Sequence, residues 1–131
     1  MILAEFGPMQ TIELKNAPLV TAPDGSAVRI LAACPRGSMA QFSLAAGQIS
    51  QAVAHRTVDE VWFVVSGQGR MWRKNGEAES IVHIHAGLSL SILSGTHFQF
   101  RNDGGEPLTA IGTTMPPWPG EDEAYQVGGI W

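Results

Sequence analysis

Glycine and proline interrupt this chain at short intervals, and that punctuation constrains its fold more than any other feature. Fifteen glycines and eight prolines fall within 131 residues, many of them in turn-forming groups: Gly7-Pro8, Pro23-Asp24-Gly25, Pro35-Arg36-Gly37, Gly47, Gly67-Gln68-Gly69, Asn75-Gly76, Gly87, Gly95 and Gly104-Gly105. Glycine reaches positive φ without steric cost, whereas proline presets φ and lacks an amide donor, so regular structure tends to stop at such sites. The runs left between them span 27–33, 38–44, 60–65, 69–74, 80–85, 88–93, 96–101 and 107–114. These are strand lengths, and no stretch of twelve residues keeps a helical period; the best helical segment, 121–125, is too short to count as an element. Short strands separated by turn residues predict an all-β sandwich or barrel. Asn75-Gly76 predicts a tight hairpin, with both residues at its central positions.

Two apolar runs refine this picture. Residues 61–65 are apolar on both faces, which predicts a strand covered on one side by the opposite sheet and on the other by a neighbouring subunit or a terminal segment. Residues 88–93 alternate leucine or isoleucine with serine, the pattern of a half-covered wall. A barrel of such strands closes its edges and can enclose a ligand cavity. The length suits one domain with one core. With a net charge of −4 and scattered lysines and arginines, the chain offers no basic stripe for nucleic acid. No apolar run is long enough for a membrane helix, and residues 1–6 lack the basic start and long apolar segment of a secretory signal, so a cytoplasmic protein without a membrane partner is expected. Cys34 is the one cysteine, which excludes a disulfide framework and a cysteine zinc site; its place at the end of the run 30–34 predicts a buried strand thiol.

Gly47, Val53, His55, Glu60 and Gly67 follow one another at the intervals of a known motif. They resemble the first motif of the cupin superfamily, in which a glycine precedes His-x-His, a glutamate and a second glycine. The second cupin motif is matched by Gly87, by Leu93 where a proline would stand, by Gly95, by Phe98 where a histidine would stand, and by Asn102. The resemblance implies a double-stranded β-helix, or jelly-roll barrel, with residues 1–131 as a single cupin-like domain. Cupins include dioxygenases, isomerases, epimerases, decarboxylases, binding domains of regulators and storage proteins, and their usual metal set is three histidines and a glutamate. Carried onto this chain, that set becomes Val53, His55, Glu60 and Phe98. Valine and phenylalanine have no donor atom, so the cofactor stays unknown and the set is incomplete for a metal.

Strand alternation puts Phe98, Phe100 and Asn102 on one face and His97, Gln99 and Arg101 on the other. A bulge after Gly95 would turn His97 inward and complete a His55, Glu60 and His97 set, the two-histidine, one-carboxylate arrangement of non-haem iron. His83 and His85 share a face, but Val82 and Ile84 claim the core, so the pair is expected at solvent or at a subunit contact.

Glu60 and Trp62 share a face, and a carboxylate beside an indole inside a barrel is desolvated toward its protonated form. His55 can exchange that proton near neutral pH. The pair suits an isomerase-, epimerase- or lyase-type enzyme acting on a small molecule, with His55 and Glu60 as acid and base. The alternatives are a non-catalytic ligand-binding or sensor module, a metal-dependent oxygenase or isomerase using His55, Glu60 and His97, and a structural domain in which the pair only fixes two strands. Arg56 and Asp59 are expected to form a solvated ion pair before Glu60. The pocket draws on Gln41 (or Ser43), Val53, Trp62, Met71 (or Trp72), Phe98 and Phe100, and fits a small, largely apolar ligand with one polar function. Without a cavity, the same aromatics would fill the barrel.

The segment 115–131 contains Met115-Pro116-Pro117-Trp118-Pro119-Gly120 and ends on Trp131. Its prolines cannot pair regularly, yet its tryptophans need cover, so it is expected to pack across the barrel or onto a partner subunit. A homodimer is expected, with 9–14 adding an edge strand to the partner's sheet.

Overall fold

All eight of the longer runs form strands, and three shorter strands join them in the computed structural model, which describes residues 9–131. The Gly7-Pro8 turn signal and the segment 1–6 lie outside the described residues. In chain order the strands are β1 (Leu19–Thr21), β2 (Ala27–Cys34), β3 (Gly37–Leu44), β4 (Val53–His55), β5 (Asp59–Ser66), β6 (Gln68–Asn75), β7 (Ala78–His85), β8 (Ser89–Ile92), β9 (His97–Asn102), β10 (Leu108–Met115) and β11 (Ala124–Gln126). They form two antiparallel sheets, ordered β1-β2-β3-β10-β5-β8 and β11-β4-β9-β6-β7. This is the all-β architecture expected from the punctuation, in the jelly-roll form that the cupin resemblance implies. No helix among the described residues is long and apolar enough to cross a membrane.

Alternation decides which side chains meet between the sheets. On β5, Glu60, Trp62 and Val64 are buried, while Val61, Phe63 and Val65 on the other face are about half exposed. Among the described residues nothing supplies the expected second cover of this strand. Leu44, Val64, Met71, Ile84, Ile92 and Phe100 are among the most deeply buried side chains of the core. Burying each such side chain contributes about 1.5–3 kcal/mol before entropy is charged.

Gly112 shapes one wall. It lies on β10 between Ala40 of β3 and Trp62 of β5, and a Cβ there would sit 2.4 Å from the Phe42 ring and 3.2 Å from the Trp62 indole. Its bare backbone lets Phe42 and Trp62 stack across the strand, with ring centroids 5.1 Å apart and planes 16° from parallel.

Several local expectations are corrected. Asn75 pairs with Ala78, so Gly76 and Glu77 are the central turn residues; Gly76 has φ 61°, and the Asn75 amide donates to Thr96 Oγ1 at 2.9 Å. Cys34 is exposed, because it ends β2 beside the Pro35-Arg36 turn rather than inside the strand. Residues 9–13 form no strand, and a 3-10 turn at Leu14–Asn16 follows them; β1 is the sheet's edge. Arg56 does not pair with Asp59: its Nε donates to the Asp122 carbonyl, its guanidinium lies 4.6 Å from the centre of the Tyr125 ring, and Asp59 accepts from the Ser94 amide.

The C-terminal segment returns across the barrel. A 3-10 turn, Glu121–Glu123, leads into β11, which pairs with β4 so that Ala124 faces His55. Gln99, on the outward face of β9, then clamps the end of the chain. Its Nε2 donates to the carbonyls of Ser50 and Trp131, and its Oε1 accepts from the amides of Ile130 and Trp131.

Candidate functional site

One row across the larger sheet forms a polar floor. In register, Ser38 of β3 faces Thr114 of β10, and Thr114 faces Glu60 of β5. The Ser38 and Thr114 hydroxyls lie 2.5 Å apart, and Ser38 Oγ also accepts from the Trp118 amide at 3.0 Å. The next row is Ala40, Gly112 and Trp62. The opposite sheet contributes Val53 and His55 from β4 and Phe98 from β9, while Asp24, in the β1–β2 turn, and Trp118, in the returning tail, complete the rim. Together they enclose a cavity of about 290 Å³. Its walls are mainly apolar, with a few polar groups converging on the interior, the usual composition of a small-molecule site.

Four titratable groups line it, His55, Glu60, Asp24 and Glu121. His55 is 4% exposed, and its ring meets Phe98 and Trp118 edge-on at 5.2 and 5.0 Å. Burial lowers its pKa to about 4, against the opposing pull of Glu123, so the imidazole is neutral at pH 7. Its Nδ1 is buried and has no hydrogen-bond partner among the described residues. Glu60 is 2% exposed and accepts a hydrogen bond from the Trp62 indole on Oε1. Burial raises its pKa to about 7; the Trp62 bond opposes the rise, and the charge of Asp24 adds to it. Asp24 is itself buried, and Oδ1 accepts from the Ser26 amide and hydroxyl at 2.9 and 2.6 Å. Burial raises its pKa despite those bonds.

The expected pocket residues divide. Val53, His55, Glu60, Trp62 and Phe98 come together at the cavity; Gln41, Met71 and Phe100 do not line it. Ser38, Ala40 and Phe42 face inward on β3, which by parity leaves Gln41 and Ser43 on the outer face. Met71 is fully buried in the core beside Phe100, its partner across β6 and β9. Phe100 meets Trp62 edge-on at 5.1 Å, so it supports the wall from behind. Trp72 faces away from Met71, and its indole donates to Glu79 at 2.7 Å.

His97 does not join His55 and Glu60. It pairs in register with Lys74, β9 runs along β6 without a bulge, and His97 is not among the cavity-lining residues. His83 and His85 are exposed, with ring centroids 5.4 Å apart. Among the described residues no three histidine, cysteine, aspartate or glutamate side chains gather as a metal-ligand set. The cupin metal positions hold Val53 and Phe98, both buried carbon side chains, beside His55 and Glu60. That donor set does not fit a resident metal.

No hydrogen bond joins His55 to Glu60 among the described residues, so the pair does not pin two strands together. Asp24, Ser38, Thr114, Phe42 and Trp118 are site residues that pattern reasoning missed. Asp24 was hidden inside Pro23-Asp24-Gly25, where an aspartate reads as ordinary turn chemistry. Register was the available signal for Ser38 and Thr114, once Phe42 and Leu44 are taken as inward.

The cupin domain family matches residues 40–113, more than half of the chain. No curated relative matches. Among solved structures, the Pac13 nucleoside dehydratase superposes with a TM-score of 0.74 at 15% identity, covering 94% of both chains. A variant of Streptomyces Pac13 with uridine gives 0.73 at 16% identity, again over 94% of each chain. The capsular polysaccharide assembling protein CapF of Staphylococcus aureus gives 0.65 at 19% identity over 84% of this chain and 34% of that one. At these identities the likeness extends to the fold alone.

Proposed function

The chain belongs to the cupin family, and from that premise we propose that it is a small-molecule enzyme of the isomerase, epimerase or lyase type, moving protons between Glu60 and a bound substrate. One observation carries the reading: a buried imidazole and a buried carboxyl group whose pKa is raised to about 7 line one cavity. A proton carrier works best when its pKa lies near the working pH, and Glu60 meets that condition. His55, neutral and held between two aromatic edges, is suited to hydrogen-bond a carbonyl or hydroxyl oxygen rather than to carry charge.

In the proposed step the ionised Glu60 takes a proton from a carbon next to a carbonyl. The electron pair moves into an enolate, whose oxygen accepts a hydrogen bond from His55. Returning the proton to another position gives isomerisation or epimerisation. Expelling a β-hydroxyl, which leaves as water with the proton returned by Glu60, gives elimination. Each route balances without an oxidant or reductant. Pac13 is named as a nucleoside dehydratase, and this supports including elimination among the outcomes.

The test is a substrate screen in D₂O followed by NMR. Hydroxylated carbonyl compounds and nucleosides are expected to yield a member whose carbon-bound hydrogen exchanges or whose hydroxyl is lost, and Glu60→Gln abolishes the change. Binding without exchange or turnover would leave a ligand-binding module and remove the enzyme reading. We also propose a second copy of the chain as the cover for the half-exposed Val61, Phe63 and Val65; a sedimentation mass of one chain would remove that part.

A further inference from the structure

Among the described residues the cavity wall carries carboxyl groups and no cationic side chain. Asp24, Glu60 and Glu121 line it, His55 is its other ionisable group, and no described lysine or arginine reaches its walls. Arg29, on the same strand as the lining residues Val28 and Ile30, turns out of the cavity and donates to the Ala17 carbonyl at 3.0 Å. Recognition of phosphate or carboxylate ordinarily relies on arginine, lysine or a nest of free amides, and the Ser26 amide in this turn is already taken by Asp24. What the cavity offers instead is hydroxyl groups at Ser38 and Thr114, carboxyl oxygens at Asp24 and Glu60, and a neutral imidazole.

We propose that the site takes a small molecule bearing hydroxyl or carbonyl groups and no anionic group, that it rejects the phosphorylated or carboxylated counterpart, and that Asp24 together with Glu60 sets this selection. The inference rests on the same cavity being the reaction site. Its physical basis is that a negative charge brought between mainly apolar walls meets buried carboxylates with no cation beside them, where Coulomb repulsion is less screened than in bulk water. Asp24 already acts through space on Glu60, raising its proton affinity, and an anionic ligand would be repelled by the same carboxylate. Asp24 is well held for this role. Its two bonds from Ser26 use Oδ1, and its backbone carbonyl accepts from the Gln51 amide at 2.8 Å, so the carboxyl is fixed at the rim.

Matched pairs test the rule: a pyrimidine nucleoside and its 5′-monophosphate, a dihydroxyketone and its phosphate, and an aldopentose and its aldonate. Binding to the purified protein is measured by ligand-observed NMR and calorimetry at pH 7.5. In every pair that binds, the neutral member is expected to bind about tenfold or more tightly. Asp24→Asn keeps the acceptor for Ser26, so the turn persists, and it is expected to close most of that gap by raising the affinity of the anion. Asp122→Asn removes an exposed charge outside the cavity lining and controls for net charge. It is expected to leave the gap unchanged. Anions that bind as tightly as their neutral partners, or a gap that responds equally to the two variants, overturns the charge rule. Neutral ligands that bind with the expected gap but show no solvent exchange or turnover support the rule and sink the acid–base reading. Failure of every pair to bind removes both.

Discussion

Glu60 and Glu123 are both largely withdrawn from solvent, yet their proton affinities are displaced in opposite directions. At Glu123 burial favours the neutral form, but three donors outweigh it: the Thr57 amide at 2.7 Å and the Val58 amide at 3.0 Å on Oε2, and the Thr57 hydroxyl at 2.6 Å on Oε1. With His55 adding a smaller pull, the group is held below its ordinary range. Glu60 has one donor, the Trp62 indole, and the carboxyl of Asp24 opposes its ionisation. Depth and donor count act together: Glu60 lies deeper and accepts one bond, so burial prevails, whereas Glu123 is less deeply desolvated and accepts three, so its donors prevail. Glu123 ties the tail to the loop after β4.

Turnover should break the symmetry most strongly. Glu60→Gln preserves shape and the acceptor for Trp62, and it is expected to lower the rate on the identified substrate by about 10²–10⁴-fold. Glu123→Gln should alter that rate by only a few-fold. Comparable losses in the two variants would show that the cavity depends on the tail's position rather than on the carboxyl chemistry. Stability should respond in the reverse sense. At pH 7 Glu123→Gln turns an amide toward backbone donors and is expected to cost about 2–3 kcal/mol by urea unfolding. A change under about 0.5 kcal/mol would mean that those three bonds add nothing net.

The eight longer strands were legible because each run stops at or just before a glycine, proline or asparagine, and some, such as 88–93, alternate in between. β1, β4 and β11 were not, because three residues carry no period. Phe42 and Leu44 contain the parity of β3, which places Gln41 outward despite its polar group, and the register with β10 sets Ser38 beside Thr114 at the cavity. His55, Glu60, Trp62, Val53 and Phe98 were legible because motif spacing and strand alternation agree on them. Asp24 required tertiary structure, since nothing within a Pro-Asp-Gly turn indicates that the turn folds over a cavity. The same holds for Glu123, whose role depends on Thr57 and Val58, far away in the sequence.

The two carboxyl groups should also give the fold opposite pH dependences. Glu60 has its folded pKa raised from 4.5 to about 7, so its burial is tolerated below pH 4.5 and becomes destabilising as pH rises through 7. Glu123 has its folded pKa lowered, so its contribution is present above 4.5 and is lost as pH falls. His55, lowered from 6.5 to about 4, adds a loss as pH falls from 6.5 toward 4. The unfolding free energy of Glu60→Gln relative to the native chain should therefore grow between pH 4.5 and pH 8, by on the order of 2–3 kcal/mol. A difference that stays flat across that range would mean that Glu60 is already ionised and compensated.

The smallest effect tests the donor-count argument directly. Trp62→Phe keeps an aromatic ring against Phe42 while deleting the one donor to Glu60. Losing a bond that favours the ionised form should raise the pKa of Glu60 above about 7, by up to about one unit. Carbon-13 NMR of the labelled glutamate carboxyls follows that titration, with Glu60→Gln identifying the resonance. Glu123, with its own three donors intact, should titrate as in the native chain and serve as the internal reference. A pKa of Glu60 that falls on loss of the indole would mean that water reaches the carboxyl as soon as the ring shrinks. The contrast with Glu123 would then rest on access to solvent and not on the number of donors.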